Sequence, residues 1–145
     1  MSLTIRILTK ADGKALRDMK ALIAQLRADK AEHGGTLADL REIISDKHAH
    51  MAVAKDGTRI VGMATLYILQ KIGMRSGQIE DVVVDNSYRG QGLGEKIMRL
   101  LIAHARAKKV TSLNLTSRAD RVAGNAMYKK LGFEKKDTNV YRLTL

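Results

Sequence analysis

Arg89-Gly90-Gln91-Gly92-Leu93-Gly94 lies inside VVVDNSYRGQGLGEK, between an apolar run and a helical pattern. Glycine lets a backbone turn sharply and lets another group approach without side chains in the way. The first N–H groups of a helix lack internal partners, and the helix dipole makes that end partly positive. A strand-to-helix turn of this composition suits an anion, above all a phosphate or pyrophosphate. Two common phosphate loops fail in detail. A nucleoside-triphosphate loop needs Lys followed by Ser or Thr after its last glycine. Here Gly94 leads into Glu95, Lys96 and Ile97. A dinucleotide loop needs G-x-G-x-x-G and an acidic residue about twenty positions on. Here the spacing is G-x-G-x-G, and Asn114 stands at that distance. A tight turn without a ligand is the competing reading.

Other chemistry is sparse. There is no cysteine, so disulfides and thiolate nucleophiles are excluded, and a reducing, cytoplasmic setting is expected. Four scattered histidines do not make a metal site. Glu80 and Asp81 precede the valines Val82, Val83 and Val84, and strand alternation puts the two carboxylates on opposite faces. His48 and His50 sit two apart, on one face of an earlier strand.

The elements around these residues are those of one ordinary domain, expected to span all 145 residues. An apolar fraction of 45% with 28% charged is normal for a globular protein. The first residues, MSLTIRILTK, show no signal-peptide pattern, and no apolar run approaches membrane-span length. A net charge of +11 admits nucleic acid, anionic small molecules or merely a basic surface. One Phe, four Tyr and no Trp leave little to stack on bases, which argues against nucleic acid.

Leu3 to Leu8 alternates as a strand. A helix follows, capped by Asp12, with Leu16, Met19, Leu22, Ile23 and Leu26 on its apolar face. Glu32 to Gly35 stops it, and Thr36 caps a second helix to Ser45. His48 to Ala54 and Thr58 to Leu69 form a hairpin turning at Asp56-Gly57. The second of these strands is apolar on both faces and belongs in a sheet interior. Lys71 to Gly77 reads as a loop and Gln78 to Asp85 as a strand. Glu95 to Lys108 is a helix, Val110 to Leu115 a strand and Ala119 to Leu131 a helix. Gly132 supplies a left-handed cap. Phe133 to Lys136 and Asn139 to Leu145 read as final strands. The class is α/β, with helices covering a mixed, largely antiparallel sheet.

The loop resembles the R/Q-x-x-G-x-G/A signature of the GNAT superfamily of acetyl-CoA-dependent N-acetyltransferases. IEDVVVDNSY before it is similar to the strand the family has there. RVAGNAMYKKLGF, Arg121 to Phe133, resembles the family's second motif, which ends in L/M-Y-x-x-x-G-F. Together these cover Ile79 to Phe133, and the element order matches the family's single domain. The resemblance implies the GNAT (acyl-CoA N-acyltransferase) fold: about six to seven strands, mostly antiparallel, flanked by four helices.

It also implies acetyl-CoA as acetyl donor and a primary amine, of a small molecule or a peptide or protein, as acceptor. The N–H groups of Arg89, Gly90, Gln91, Gly92, Leu93 and Gly94, with Glu95 at the helix start, would hold the pyrophosphate. Arg89 and one of Lys129 or Lys130 would face phosphates. Val82, Val83 and Val84 would pair through their backbone with the pantetheine arm, as an added strand does. An N–H near Val82 or Val83 would stabilise the tetrahedral oxyanion. Tyr128 would be the acid to the leaving thiolate. Glu80, its pKa raised by burial, would be the base that deprotonates the amine, with Asp81, His48 and His50 as competitors. One common form of the second motif has Asn where this chain has Arg121, and Asn125 would replace its amide. No metal is implied.

In the family, acceptor choice lies mainly in the regions that are here Leu22 to Ser45 and Asp137 to Tyr141, with Lys71 to Gly77 as a further contributor. GQIEDVVVD is similar to glucosamine-6-phosphate N-acetyltransferases, and the basic charge suits a phosphorylated sugar. A polyamine would need a locally acidic pocket, for which Glu32, Asp39, Glu42 and Asp46 are available. A non-catalytic acetyl-CoA sensor on the same fold is the alternative class, and Tyr128 and Glu80 argue against it. Family members often form dimers.

Overall fold

The structure is a computed structural model that describes residues 2–27 and 34–145. Two compact units are distinguished, Met1–Leu115 and Thr116–Leu145. The first holds a five-stranded sheet in chain order. Its strands are β1 (Leu3–Ile7), β2 (Ala49–Asp56), β3 (Arg59–Lys71), β4 (Met74–Val84) and β5 (Ser112–Asn114). The pairs β1–β2, β2–β3 and β3–β4 are antiparallel, and β4–β5 is parallel.

Helices α1 (Gly13–Leu26) and α2 (Leu37–Ser45) form where the apolar period and the caps agree. Asp12 accepts a bond from the Ala15 N–H at 2.8 Å. Thr36 and Asp39 complete a reciprocal capping box. Glu32 and His33, expected to help end the first helix, lie outside the described residues; α1 ends at Leu26. Met19, Leu22 and Leu40 pack with Met51 and Val53 of β2, Ile60 and Met63 of β3, and Val83 of β4. The neighbouring pair Ala54 and Gly62 faces the other way, toward Ile97 of α3 (Leu93–Ala107). Leu93, Ile97, Met98 and Leu101 of α3 are buried, each contributing about 1.5–3 kcal/mol by burial. Every residue of β3 from Ile60 to Leu66 is buried, as expected for an interior strand.

Two expectations change. The loop read over Lys71 to Gly77 is mostly strand. Lys71 pairs with Met74 across a two-residue turn whose Gly73 sits at φ 82°. The glycine makes that turn cheap, so both strands extend to its edge. Among the described residues the two final strands do not appear, and the sheet has five strands instead of six or seven. Residues 133–145 carry no regular secondary structure, and Val140, Tyr141, Leu143 and Leu145 are exposed. Alternation alone cannot hold a strand; it needs a ladder partner. Smaller shifts follow from caps: α3 begins at Leu93, directly after Gly92, and α4 (Val122–Lys130) begins after a turn at Ala119-Asp120, closed by the Arg121 N–H on the Arg118 carbonyl. In the second unit Gly132, at φ 97°, closes α4 as expected. The Phe133 N–H donates to the Tyr128 carbonyl at 2.9 Å, and the Gly132 N–H to that of Lys129 at 3.0 Å.

Candidate active site

Strand β4 is where the first unit prepares its site. Its parallel ladder with β5 covers only Ser76, Gly77 and Gln78. From Ile79 to Val84 that side of β4 has no strand partner among the described residues, while the β3 side stays paired. The β3–β4 register jumps between Met63↔Val83 and Thr65↔Glu80, so Asp81 and Val82 oppose Ala64 alone. This is a β-bulge, and Asp81 takes φ 53° within it. Aspartate is one of the few residues that visit this left-handed region readily. The bulge breaks the alternation that was to separate Glu80 from Asp81. Both are exposed, so the burial expected for Glu80 is not found. Glu80 accepts a bond from Gln78 Nε2 at 3.3 Å. Val83 is buried in the face covered by α1, and Val82 and Val84 are half-buried. An open backbone edge beside a bulge can take an extended amide-bearing ligand as an extra strand.

The strand delivers the chain to the glycine loop. Gly90 and Gly92 have φ 80° and 75°, and an added Cβ at either would meet nothing within 4 Å. Space therefore stands open over both. Gly92 is the N-cap of α3 and makes no side-chain cap bond. The first intrahelical bond is Lys96 N–H to Gly92 carbonyl, 3.1 Å, so the amides of Leu93 and Gly94 lie ahead of it. The Leu93 side chain, in contrast, is buried in the core and anchors the loop. Arg89 and Gln91 are exposed, and Arg89 Nε donates to the Val84 carbonyl at 3.3 Å. Glu95 accepts from Arg99 Nε at 3.3 Å. Glycine-bearing backbone, a helix start without a side-chain cap and a positive macrodipole can together cradle an anion.

Residues that the sequence did not single out hold this loop in place. Asp85 is 7% exposed and caps the short 3-10 turn Asn86–Tyr88 by accepting from the Ser87 N–H at 2.9 Å. That backbone bond, foremost, holds its carboxyl below the usual carboxylate range, with Gln25 and Arg59 assisting against the cost of burial. Tyr88 Oη donates to Asp56 Oδ2 at 2.5 Å, which lowers the Asp56 pKa and raises that of the phenol. The Asp-Asn-Ser sequence is a readable turn signal; the partners from Gln25, Asp56 and Arg59 are distant in the chain and leave no local trace.

His50 and His104 meet where β2 faces α3. Nδ1 of His50 lies 3.1 Å from Nε2 of His104, and His50 Nε2 is buried with no hydrogen-bond partner among the described residues. Burial is the main cause lowering both pKa values; Lys108 adds to it, as does His104 for His50. His48 lies in the turn before β2, so the two histidines do not share a strand face. Tyr67 is half-buried and its pKa is raised by desolvation and then by the charges of Asp81, Glu80 and Asp46.

In the second unit Tyr128 is half-buried on α4 and meets Phe133 edge-on, ring centroids 5.9 Å apart. Burial raises its pKa, opposed by Arg121, so the phenol keeps its proton at neutral pH. Asn125 Nδ2 donates to the Arg118 carbonyl at 3.0 Å, which secures the turn before the helix. Lys129 and Lys130 are exposed. Among the described residues, no group of three or more metal-ligating side chains occurs.

Residues 17–133 match the acetyltransferase (GNAT) family. The chain is 31% identical to a glucosamine 6-phosphate N-acetyltransferase of Trypanosoma brucei brucei over 92% of this chain and 90% of that protein. It is 26% identical to the N-alpha-acetyltransferase RimI of Mycobacterium tuberculosis, over 91% of this chain and 78% of the relative. The crystal structure of a Trypanosoma brucei acetyltransferase superposes with a TM-score of 0.78 at 32% identity, covering 99% of this chain and 100% of that one. The chain belongs to the GNAT family of acetyltransferases, N-acetyltransferases that take their acetyl group from acetyl-CoA.

Proposed function

We propose that the chain, as one domain of residues 1–145 acting in the cytoplasm, binds acetyl-CoA along β4 and the loop Arg89–Gly94 and presents its thioester to a primary amine. The observation that carries this reading is the sequence of an open β4 edge, a bulge and left-handed glycines directly ahead of an uncapped helix. The family match spans both compact units, which supports treating them as one domain.

Amides of Arg89 to Gly94 hold the pyrophosphate, with Glu95 at the helix start. Val82 to Val84 hold the pantetheine arm. The bulge leaves its extra residue outside the ladder, which favours an N–H at Val82 or Val83 as donor to the thioester oxygen. The acceptor must lose a proton before or during attack, because a free alkylamine has a pKa of about 10.4. Glu80 takes it, directly or through water. Collapse of the tetrahedral intermediate breaks the carbon–sulfur bond, and Tyr128 protonates the thiolate. Asn125 and Lys130 belong to the donor-binding helix.

The acceptor class is testable. Similarity to a glucosamine 6-phosphate N-acetyltransferase and a charge of +11 favour a phosphorylated amino sugar over a polyamine. Similarity to RimI keeps a peptide α-amine in view. Thiol release from acetyl-CoA is measured with glucosamine 6-phosphate, an alanine-initiated peptide and spermidine. Selective turnover of the sugar phosphate supports the first; no release with any amine, or no coenzyme A heat in calorimetry, overturns the proposal.

A further inference from the structure

Gln25 stands in the last turn of α1 and reaches across 60 residues of chain to the entrance of the glycine loop. Its amide makes two bonds of opposite sense. Nε2–H donates to Asp85 Oδ2 at 3.3 Å, and Oε1 accepts from the Asn86 N–H at 3.0 Å. Turning the amide over would set oxygen against carboxylate and N–H against N–H, so only this orientation serves.

The two partners begin the turn that aims the loop. Asp85 N–H donates to the Val61 carbonyl at 2.8 Å, and the Asp85 carbonyl accepts from Tyr88 N–H at 2.8 Å. Arg59 Nη2 also reaches Asp85 Oδ2, at 3.2 Å, with its side chain 56% exposed and thus screened by solvent. Asp56 holds the far end of the turn through Tyr88. Arg89 and Gly90 follow without a break. A displacement of Asp85–Asn86 is therefore a displacement of the anion cradle.

We propose that Gln25 is a positioning residue for acetyl-CoA binding: its amide locks the Asp85–Asn86 turn and so the direction of the loop amides. The inference rests on the reading that this loop binds the donor. It places one determinant of donor affinity on α1, whose last turns otherwise belong with the region expected to choose the acceptor.

The test uses the full chain, coenzyme A calorimetry and thermal melting. Gln25→Glu keeps size and helix propensity but sets a carboxylate against Asp85. A bond to a charged group is lost and a repulsion gained, so Kd for coenzyme A rises about tenfold or more. The double variant Gln25→Glu with Asp85→Asn restores donor against acceptor with the charges exchanged, and Kd returns to within about threefold of wild type. A merely structural role would lower the melting temperature and the titrated active fraction without moving Kd. If Gln25→Glu does not fold, Gln25→Met, which removes both bonds without a charge, is expected to raise Kd about threefold or more. Unchanged Kd in the folded single variant, or no recovery in the double, overturns the inference. A wild-type chain that ignores coenzyme A overturns the donor-site reading itself, which no variant effect is needed to reveal.

Discussion

Gly92→Ala separates folding from donor binding, because a matched control exists in the same molecule. Gly92 has φ 75° and Gly73 has φ 82°, and a Cβ at either meets nothing within 4 Å. Left-handed backbone costs a non-glycine residue about 1–2 kcal/mol. Part of that, about 0.4–1 kcal/mol, is offset because alanine restricts the unfolded chain. The net is about 1 kcal/mol for both, or about 2–4 °C in melting temperature for a chain of this size. Gly73 lies in the β3–β4 turn, away from the loop. Gly92 lies where the phosphate is proposed to sit, so its new methyl stands in space that is open only while no ligand fills it. Losing one charge-assisted bond there costs about 1.5–3 kcal/mol, roughly 10–150-fold in Kd for coenzyme A. Calorimetry and thermal melting of the two variants side by side provide the assay. Equal melting losses with a coenzyme A defect confined to Gly92→Ala are expected. If Gly73→Ala weakens binding as much, or neither variant weakens it threefold, the cradle argument is refuted.

Tyr128→Phe is expected to lower turnover by about 10²-fold while coenzyme A affinity stays within about twofold, the signature of lost acid catalysis; small and equal effects on both would remove that role. The His50–His104 pair ties stability to pH. Both pKa values are lowered on folding, so the stabilisation is present above the ordinary histidine value near 6.5 and is lost as pH falls through the depressed folded values. Lys108 favours the neutral form of both, while Asp46 and the Lys47 backbone oppose it at His50. Melting between pH 8 and pH 5.5 should fall steeply for the wild type and less for His50→Leu with His104→Leu, since Asp12, Asp56 and Asp85 are held low and act only near and below about pH 4; a flat wild-type profile contradicts this. Gly62→Ala puts a Cβ 2.9 Å from Ile97 Cδ1 and should cost about 1–3 kcal/mol by overpacking. Ile97→Val deletes that atom, so the double variant should be more stable than the sum of the singles; strict additivity in denaturant melts would show that the contact relaxes freely.

What was legible in the sequence was local. Asp12, Thr36 and Gly132 act within three or four residues of themselves, and each makes the cap its type and position predict. The loop glycines were readable for the same reason. The β4 bulge was not, because it depends on how Ala64 of the facing strand is shared between Asp81 and Val82. Nor was the length of β4, which follows from pairing with β3 up to a glycine turn. The final alternation from Asn139 to Leu145 shows the converse. Its period is right for a strand, yet period carries no information about an available partner.

The same division explains why the site needs residues that no motif contains. Glycine permits the left-handed turns at Gly90 and Gly92 but does not enforce them, since it is also the residue with the most conformations to lose. A cradle made only of permissive residues would spend binding free energy on becoming ordered. Here the chain enters the loop from a carboxylate held by Gln25, Arg59 and the Ser87 amide, passes a tyrosine bound to Asp56, and leaves it at a buried Leu93. The glycines supply room and N–H groups; the ties on either side supply direction. On the proposed donor-binding reading, motif residues define which ligand can be held, and the non-motif residues around Asp85 define how much of the ordering is done before it arrives.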